Sequence, residues 1–234
     1  MKKILIIVLA SNNDYYAELI NIIKSTWAKK NIDNINIIYN YCNPDIDDVE
    51  LINDELHVRC QENYNNIWYK TSKAFEYCYY NLDFDYIFRC CSSSFINQTK
   101  LLEFIENKQL DNYYSGYPLY YNNPDSKYHG LKYGAGDGFF ISKNLLPLLF
   151  SKKAREIKEI DDVAIGVICN KYLSDDSIRC GILKEDDVHN IVNIYNYYHF
   201  HHYYYLHPSF KSDDKFGIDW LRKDFNYLYN KIYS

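Results

Sequence analysis

The sequence predicts an α/β fold, a mixed and mostly parallel central sheet flanked by helices, and three observations carry that reading. Lys3 to Ala10 is apolar on both faces, the pattern of a parallel strand covered on both sides. Asp85-Tyr-Ile-Phe-Arg-Cys-Cys-Ser-Ser-Ser-Phe-Ile-Asn97 is an apolar run that breaks abruptly into small polar side chains, as a central strand does where it delivers a site beyond its carboxyl end. Around these runs the period changes to that of amphipathic helices, so strands and helices alternate along the chain.

At 234 residues and 47% hydrophobic composition the chain can bury roughly 70–75% of its unfolded surface, enough for one domain spanning residues 1–234. A net charge of -5 and a pI near 5.8 exclude nucleic acid as the main partner, because no basic stripe exists to displace phosphate counterions. Seven cysteines form no CxxC pair, and an odd number cannot all pair internally, so free thiols in a reduced compartment, the cytoplasm, are expected. Met1-Lys2-Lys3 ahead of Ile4 to Ala10 imitates a secretory leader. That apolar run is short and Ser11-Asn12-Asn13-Asp14 is a poor cleavage site, so a first buried strand accounts for it. No apolar run approaches membrane-spanning length.

Taken in order, Ser11 to Asp14 carries N-cap chemistry, and Leu19, Ile22, Ile23, Thr26 and Trp27 then share one helical face. Asn36 to Tyr41 reads as the next strand, Pro44 to Asp48 as a turn with solvated carboxylates, and Leu56 to Arg59 as a short strand. Ile67, Thr71, Ala74, Phe75, Cys78 and Leu82 recur at helical spacing and run into the strand at Tyr86. Asn97 caps a short helix through Leu101, Leu102 and Ile105. Asp111 to Tyr133, rich in Tyr, Asn, Pro and Gly, reads as an irregular ligand-facing loop. In Tyr133-Gly-Ala-Gly-Asp-Gly-Phe-Phe-Ile-Ser142 the alternating Gly134, Gly136 and Gly138 lack the spacing of a dinucleotide or phosphate loop and precede a strand. Close backbone packing beside a ligand is the better reading. Asp161 and Asp162 open a helix, where capping and chemistry are both open to them. The last amphipathic helix carries Leu221, Phe225, Leu228 and Ile232, after a tyrosine-dense stretch containing His199, His201, His202 and His207.

Four segments in a common order resemble the fringe-like β-1,3-galactosyltransferase and N-acetylglucosaminyltransferase family. Lys24-Ser-Thr-Trp27 is similar to its Arg-x-Thr-Trp motif, and Glu62-Asn-Tyr-Asn-Asn-Ile-Trp-Tyr-Lys-Thr71 to its Asp-Ser-Tyr-x-Asn-Leu-Thr-x-Lys-Thr motif. Tyr117-Pro118 followed by Tyr133 to Ser142 is similar to its Tyr-Pro…Gly-x-Gly-Tyr-x-x-Ser segment, and Asp161-Asp-Val-Ala-Ile-Gly166 to its Glu-Asp-Val-x-x-Gly. The resemblance implies a GT-A (Rossmann-like) glycosyltransferase fold. It implies inverting transfer of a sugar from a nucleoside-diphosphate donor, UDP-linked, to a hydroxyl of a glycan or glycoconjugate acceptor. It further implies Asp162 as the general base that takes the acceptor proton, with Asp161 beside it and Gly134, Gly136, Asp137 and Gly138 near acceptor or sugar.

One segment departs from that pattern. Where the family ends the strand equivalent to Tyr86 to Cys91 in three aspartates that hold a divalent metal on the diphosphate, this chain has Cys91-Ser92-Ser93, followed by Ser94-Phe95-Ile96-Asn97. Hard cations such as Mn²⁺ and Mg²⁺ want charged oxygen ligands, which a Cys-Ser-Ser triplet does not supply. Asp83-Phe84-Asp85 matches Asp-x-Asp by pattern but precedes the strand and reads as a turn. The diphosphate then falls to Cys91, Ser92, Ser93 and Ser94 with Lys70, Arg89 or Lys211 as cations, and a metal, if one binds, to His199 or His201. The alternative from another class is a catalytically inactive protein of this fold that binds nucleotide sugar or glycan. The lost carboxylates favour that alternative, and the retained Asp161-Asp162 argues against it.

Overall fold

A computed structural model describes residues 1–176, 178, 180–182, 196–199 and 214–233. Ile4–Leu9 (β1) is the axis, and its side chains alternate between two cores: Ile4, Ile6 and Val8 enter one, Leu5 and Ile7 the other. A strand buried on both faces must be apolar at every position, which is why the run shows no alternation. Asp14–Ser25 (α1) follows, with the Asn13 side chain accepting from the Tyr15 amide as N-cap, and it lays Leu19, Ile20, Ile22 and Ile23 on the first core. Then come Ile35–Cys42 (β2), the hairpin of Val49–Ile52 (β3) and Glu55–Val58 (β4), Ile67–Asn81 (α2), and Tyr86–Cys91 (β5). β1 is paired in parallel with β2 on one side and β5 on the other.

Ser94–Ile96 (β6) and Gln98–Glu106 (α3) continue the chain, and the Asn97 side chain caps α3 by accepting from the Lys100 amide. The remaining described elements are Tyr114–Tyr120 (β7), Lys132–Ser142 (β8), the short helices Leu146–Leu149 (α4) and Lys152–Arg155 (α5), Asp161–Cys169 (α6), Cys180–Ile182 (β9), Tyr197–His199 (β10) and Asp214–Tyr233 (α7). Among the described residues the main sheet is seven-stranded in the order β3-β4-β2-β1-β5-β8-β7, and β6-β10-β9 form a second, three-stranded sheet. α1, α3 and α7 cover one face of the main sheet, and α2, α4 and α6 the other. β8 is antiparallel to both β5 and β7, so the sheet is mixed where the chain turns back beside the Cys-Ser cluster. Among the described residues, no helix is long and apolar enough to cross a membrane.

Three expectations need correction. Asp111 to Tyr133 is not wholly irregular: it contains β7, an edge strand whose register shifts between Gly116 and Pro118. An edge strand tolerates proline at a bulge, so strand and loop share a composition here. The alternating glycines do not precede a strand but lie inside β8. Finally, Cys42 and Cys60 form a disulfide across a sequence separation of 18. The β2–β4 pairing sets Cys42 opposite Val58 and so brings Cys60 within reach. Cys78, Cys90 and Cys169 are buried free thiols. The premise that placed the chain in a reduced compartment falls with that bridge.

Candidate active site

The first turn of α6 brings two carboxylates into the protein. Ile160 is the N-cap and offers no side-chain bond, so Asp161 and Asp162 are helical residues with their carboxylates turned inward, 3% and 8% exposed. Asp161 Oδ2 accepts from the Thr71 hydroxyl at 3.0 Å and pairs with Arg89 Nη2 at 2.6 Å. Arg89 enters from β5, buried, with its guanidinium 5.5 Å from the centre of the Phe139 ring and Nη1 donating to the Gly136 carbonyl. Asp162 accepts from both flanks: the Gly136 amide donates to Oδ2 at 3.1 Å and the Val163 amide to Oδ1 at 2.8 Å. Gly136 in β8 thus meets Asp162 through its N–H and Arg89 through its C=O.

Burial, and then the neighbouring Asp161 charge, push the Asp162 carboxyl up to about 6, while Arg89 and the two amides pull the other way. The balance follows from count and position. Two carboxylates share one guanidinium, and that guanidinium pairs directly with Asp161.

The end of β5 lies beside this cluster. Cys91 Sγ sits 3.1 Å from Ser93 Oγ and 3.2 Å from Ser94 Oγ, and Ser94 Oγ donates to the Asp137 carbonyl at 2.7 Å. Ser92 and Ser93 are buried. The Tyr197 hydroxyl in β10 donates to Asp137 Oδ1 at 3.1 Å and contacts the Gly138 carbonyl at 3.2 Å. A side chain at Gly138 would stand 2.7 Å from the Phe88 ring, and one at Gly134 would stand 3.0 Å from the Tyr114 hydroxyl. Cys91 to Ser94 and Asp162 therefore hang on adjacent residues of β8, Asp137 and Gly136. His199 pairs by register with Ser94. His201 and Lys211 lie outside the described residues.

Neither expected cation faces the strand end as a free charge. Arg89 is held by Asp161, and Lys70 is buried, donating to the Ala10 carbonyl at 2.8 Å and pairing with Glu62 at 3.3 Å. Burial lowers the Lys70 pKa, and Glu62 opposes that. The donors at Cys91, Ser93 and Ser94 are a thiol and hydroxyls already engaged with one another, so they do not fit a hard divalent metal. Among the described residues, no group of three or more His, Cys, Asp and Glu is gathered to hold a metal. Asp85 lies at the other end of β5, where its carboxylate accepts from the Lys3 amide at 2.8 Å, and Asp83 pairs with the Lys3 side chain.

Sequence reasoning missed Thr71, which its helical spacing assigns to packing, and it missed Glu159. Glu159 accepts from Tyr121 Oη at 2.6 Å and from Ser126 Oγ at 2.9 Å, pinning the β7–β8 connection beside Asp162. No local pattern shows the contacts of either residue, because their partners lie far away in the chain.

A mixed sheet with helices on both faces, and a buried carboxylate pair beside its antiparallel strand β8, fit the layout of a GT-A fold. The fold matches a glycosyltransferase involved in glycosylation of the major capsid of PBCV-1, with a TM-score of 0.55 and 10% identity over 94% of this chain and 99% of that one. It also matches the galactosyltransferase LgtC, in complex with donor and acceptor sugar analogues, with a TM-score of 0.51 and 10% identity over 95% of each chain. The galactosyltransferase family model matches residues 20–176, and the chain belongs to that family. No curated relative matches its sequence.

Proposed function

We propose that the protein is an inverting glycosyltransferase, of the fringe-like branch of its family, that moves a sugar from a UDP-linked donor to a hydroxyl of a glycan or glycoconjugate. The observation that carries this reading is Asp162, a buried carboxylate with both oxygens oriented by amides and its pKa raised to about 6. Such a group is ionised at neutral pH yet more basic than an ordinary aspartate, which suits a general base. The acceptor hydroxyl gives its proton to Asp162 as its oxygen attacks the anomeric carbon. The bond from that carbon to the diphosphate breaks on the opposite face, and the electron pair leaves with the diphosphate. Arg89 offsets Asp161, so the second carboxylate does not raise Asp162 so far that it stays protonated.

In this reading β1 and β2 meet the nucleotide, and the hydroxyls and backbone of Cys91 to Ser94 meet the diphosphate, with Lys70 and Arg89 contributing charge from behind. Stabilising the leaving group is usually a large share of such a barrier. The acidic motif is replaced by Cys91-Ser92-Ser93, and no step here is routed through a metal.

A transfer assay with a panel of nucleotide sugars, with and without chelator, on the wild type and Asp162→Asn tests this. Turnover with a UDP-sugar, an inverted anomeric centre by NMR, and a loss of about 10²–10⁴-fold in kcat for Asp162→Asn are expected. Retained configuration removes the inverting mechanism, and an Asp162→Asn variant at wild-type turnover removes Asp162 as the base. Nucleotide-sugar binding without turnover across acceptors supports the inactive alternative instead.

A further inference from the structure

Residues 121–131 join β7 to β8 as a loop closed at its root, where the Tyr121 amide donates to the Leu131 carbonyl at 2.9 Å and the Gly130 amide to the Tyr121 carbonyl at 2.8 Å. Beyond that root the loop is gripped by one carboxylate. Glu159 Oε2 accepts from Tyr121 Oη at 2.6 Å and Oε1 from Ser126 Oγ at 2.9 Å, so both of its oxygens are engaged by the loop. Ser126 is also where the loop ties itself together. Its amide donates to the Asn123 carbonyl at 3.1 Å, its carbonyl accepts from the His129 amide at 3.0 Å, and its hydroxyl accepts from the Tyr128 amide at 3.2 Å.

This clasp flanks Asp162 on both sides. Glu159 stands just ahead of Ile160, the N-cap of α6, and so precedes Asp162 by less than one helical turn. Gly166 lies one turn beyond Asp162 on the same helix face. A side chain at Gly166 would stand 2.4 Å from Tyr133 Cβ and 3.5 Å from Leu131 Cδ2, so the root of the loop rests directly on that face. The Tyr121 ring meets the Tyr133 ring edge-on with centroids 6.4 Å apart. From the same strand as Tyr133, the Gly136 amide donates to Asp162 itself.

A base that takes a proton from an acceptor hydroxyl also takes one from water, and closing a site is what expels water. If water reaches the site it attacks the anomeric carbon in place of the acceptor. Its proton goes to Asp162, the bond to the diphosphate breaks with the electron pair leaving on the diphosphate, and the sugar is released free. We infer that Glu159 is a positioning residue that clasps the 121–131 loop to the start of α6 as the wall keeping water from Asp162, which favours transfer over donor hydrolysis. This rests on the glycosyltransferase reading above and adds the residues that protect its site from water.

Two measurements on the full chain test the clasp: hydrogen exchange of the Ser126, His129 and Gly130 amides, and UDP released from UDP-galactose and the other UDP-sugars of the panel without acceptor. Losing a hydrogen bond to a charged group shifts the opening of the loop by about ten-fold or more, so Glu159→Ala should speed exchange of these amides and acceptor-free UDP release by about that factor. A purely structural defect would lower UDP release instead. Glu159→Gln, which can still bond both hydroxyls, should restore most of the wild-type behaviour. Tyr121→Phe and Ser126→Ala should each give a smaller increase, and either one added to Glu159→Ala should change nothing further. Asn122→Ala, at an exposed loop position outside the clasp, should match wild type. Thermal unfolding of each variant reports folding independently. Unchanged loop exchange in folded Glu159→Ala overturns the clasp, and faster exchange with unchanged or slower acceptor-free release overturns its role against water. If neither wild type nor Glu159→Ala binds or cleaves any nucleotide sugar, the function reading falls as well.

Discussion

Replacing Gly136 with alanine tests the site where it is most crowded. The new methyl group would stand 2.8 Å from Asp162 Oδ2 and 3.1 Å from Arg89 Nη1, where ordinary van der Waals contact begins at 3.4 Å. Neither neighbour is free to yield. Asp162 is held by the amides of Gly136 and Val163, and Arg89 by Asp161 and the Gly136 carbonyl. The carboxylate must retreat by about half an ångström, straining the bond from the Gly136 amide, and a hydrogen bond to a charged group is worth about 1.5–3 kcal/mol. Overpacking of this kind costs about 1–3 kcal/mol in stability, which for a chain of this length is a fall in Tm of roughly 2–12 °C. A 1 Å misplacement of a reacting group costs about 10²-fold in rate, so half that distance predicts a fall in kcat of about ten-fold. The donor KM should move little. Circular-dichroism melting and transfer kinetics on the purified variant measure both. A variant within about 2 °C and two-fold of wild type would refute the packing argument, since Gly136 would then have room to spare.

Three further outcomes follow from the same geometry. Arg89→Met leaves Asp161 and Asp162 buried without their cation, which should cost about 3–5 kcal/mol in urea unfolding and raise the Asp162 pKa further; a change under about 1 kcal/mol would show that the pair is not coupled to folding. In wild type, kcat should fall as pH drops through about 6, because the base is then protonated, whereas stability should change in the opposite sense. The native carboxyl holds its proton longer than the unfolded one at 3.8, so this group's contribution is full below 3.8 and lost as pH rises through about 6; a flat kcat between pH 5 and 7 would remove Asp162 from the rate. Cys42→Ser, or reductant added to wild type, should cost about 3 kcal/mol for a loop of this length, and a reductant that exposes no new titratable thiols would rule the bridge out.

Those elements whose pattern is local were legible in the sequence. β1 is apolar at every position because both faces are buried, and α2 and α7 show their period because one face is. The proposal for Asp162 rests on the resemblance carried by its neighbours, since an aspartate in the first turn of a helix has the same local pattern whether it caps or catalyses. Arg89 was visible as a cation on a buried strand, but its partner is far along the chain, and only the fold shows that it is engaged by Asp161. The disulfide was hidden for a similar reason. Cys42 and Cys60 have no diagnostic spacing, and it is the β2–β4 register that brings them together.

β8 holds the residues at the end of β5 together with Asp162. Its Gly136 contacts both Asp162 and Arg89, its Asp137 carbonyl receives Ser94, and its Gly134 and Gly138 let Tyr114 and Phe88 close in on either side. Each of these ties is a backbone bond or a contact that only glycine leaves room for. Here Ser94 and Asp162 are tied to adjacent residues of β8, Asp137 and Gly136, so the two stay together without shared carboxylates. Gly136 is the position at which this backbone tie between the end of β5 and Asp162 is tested most directly.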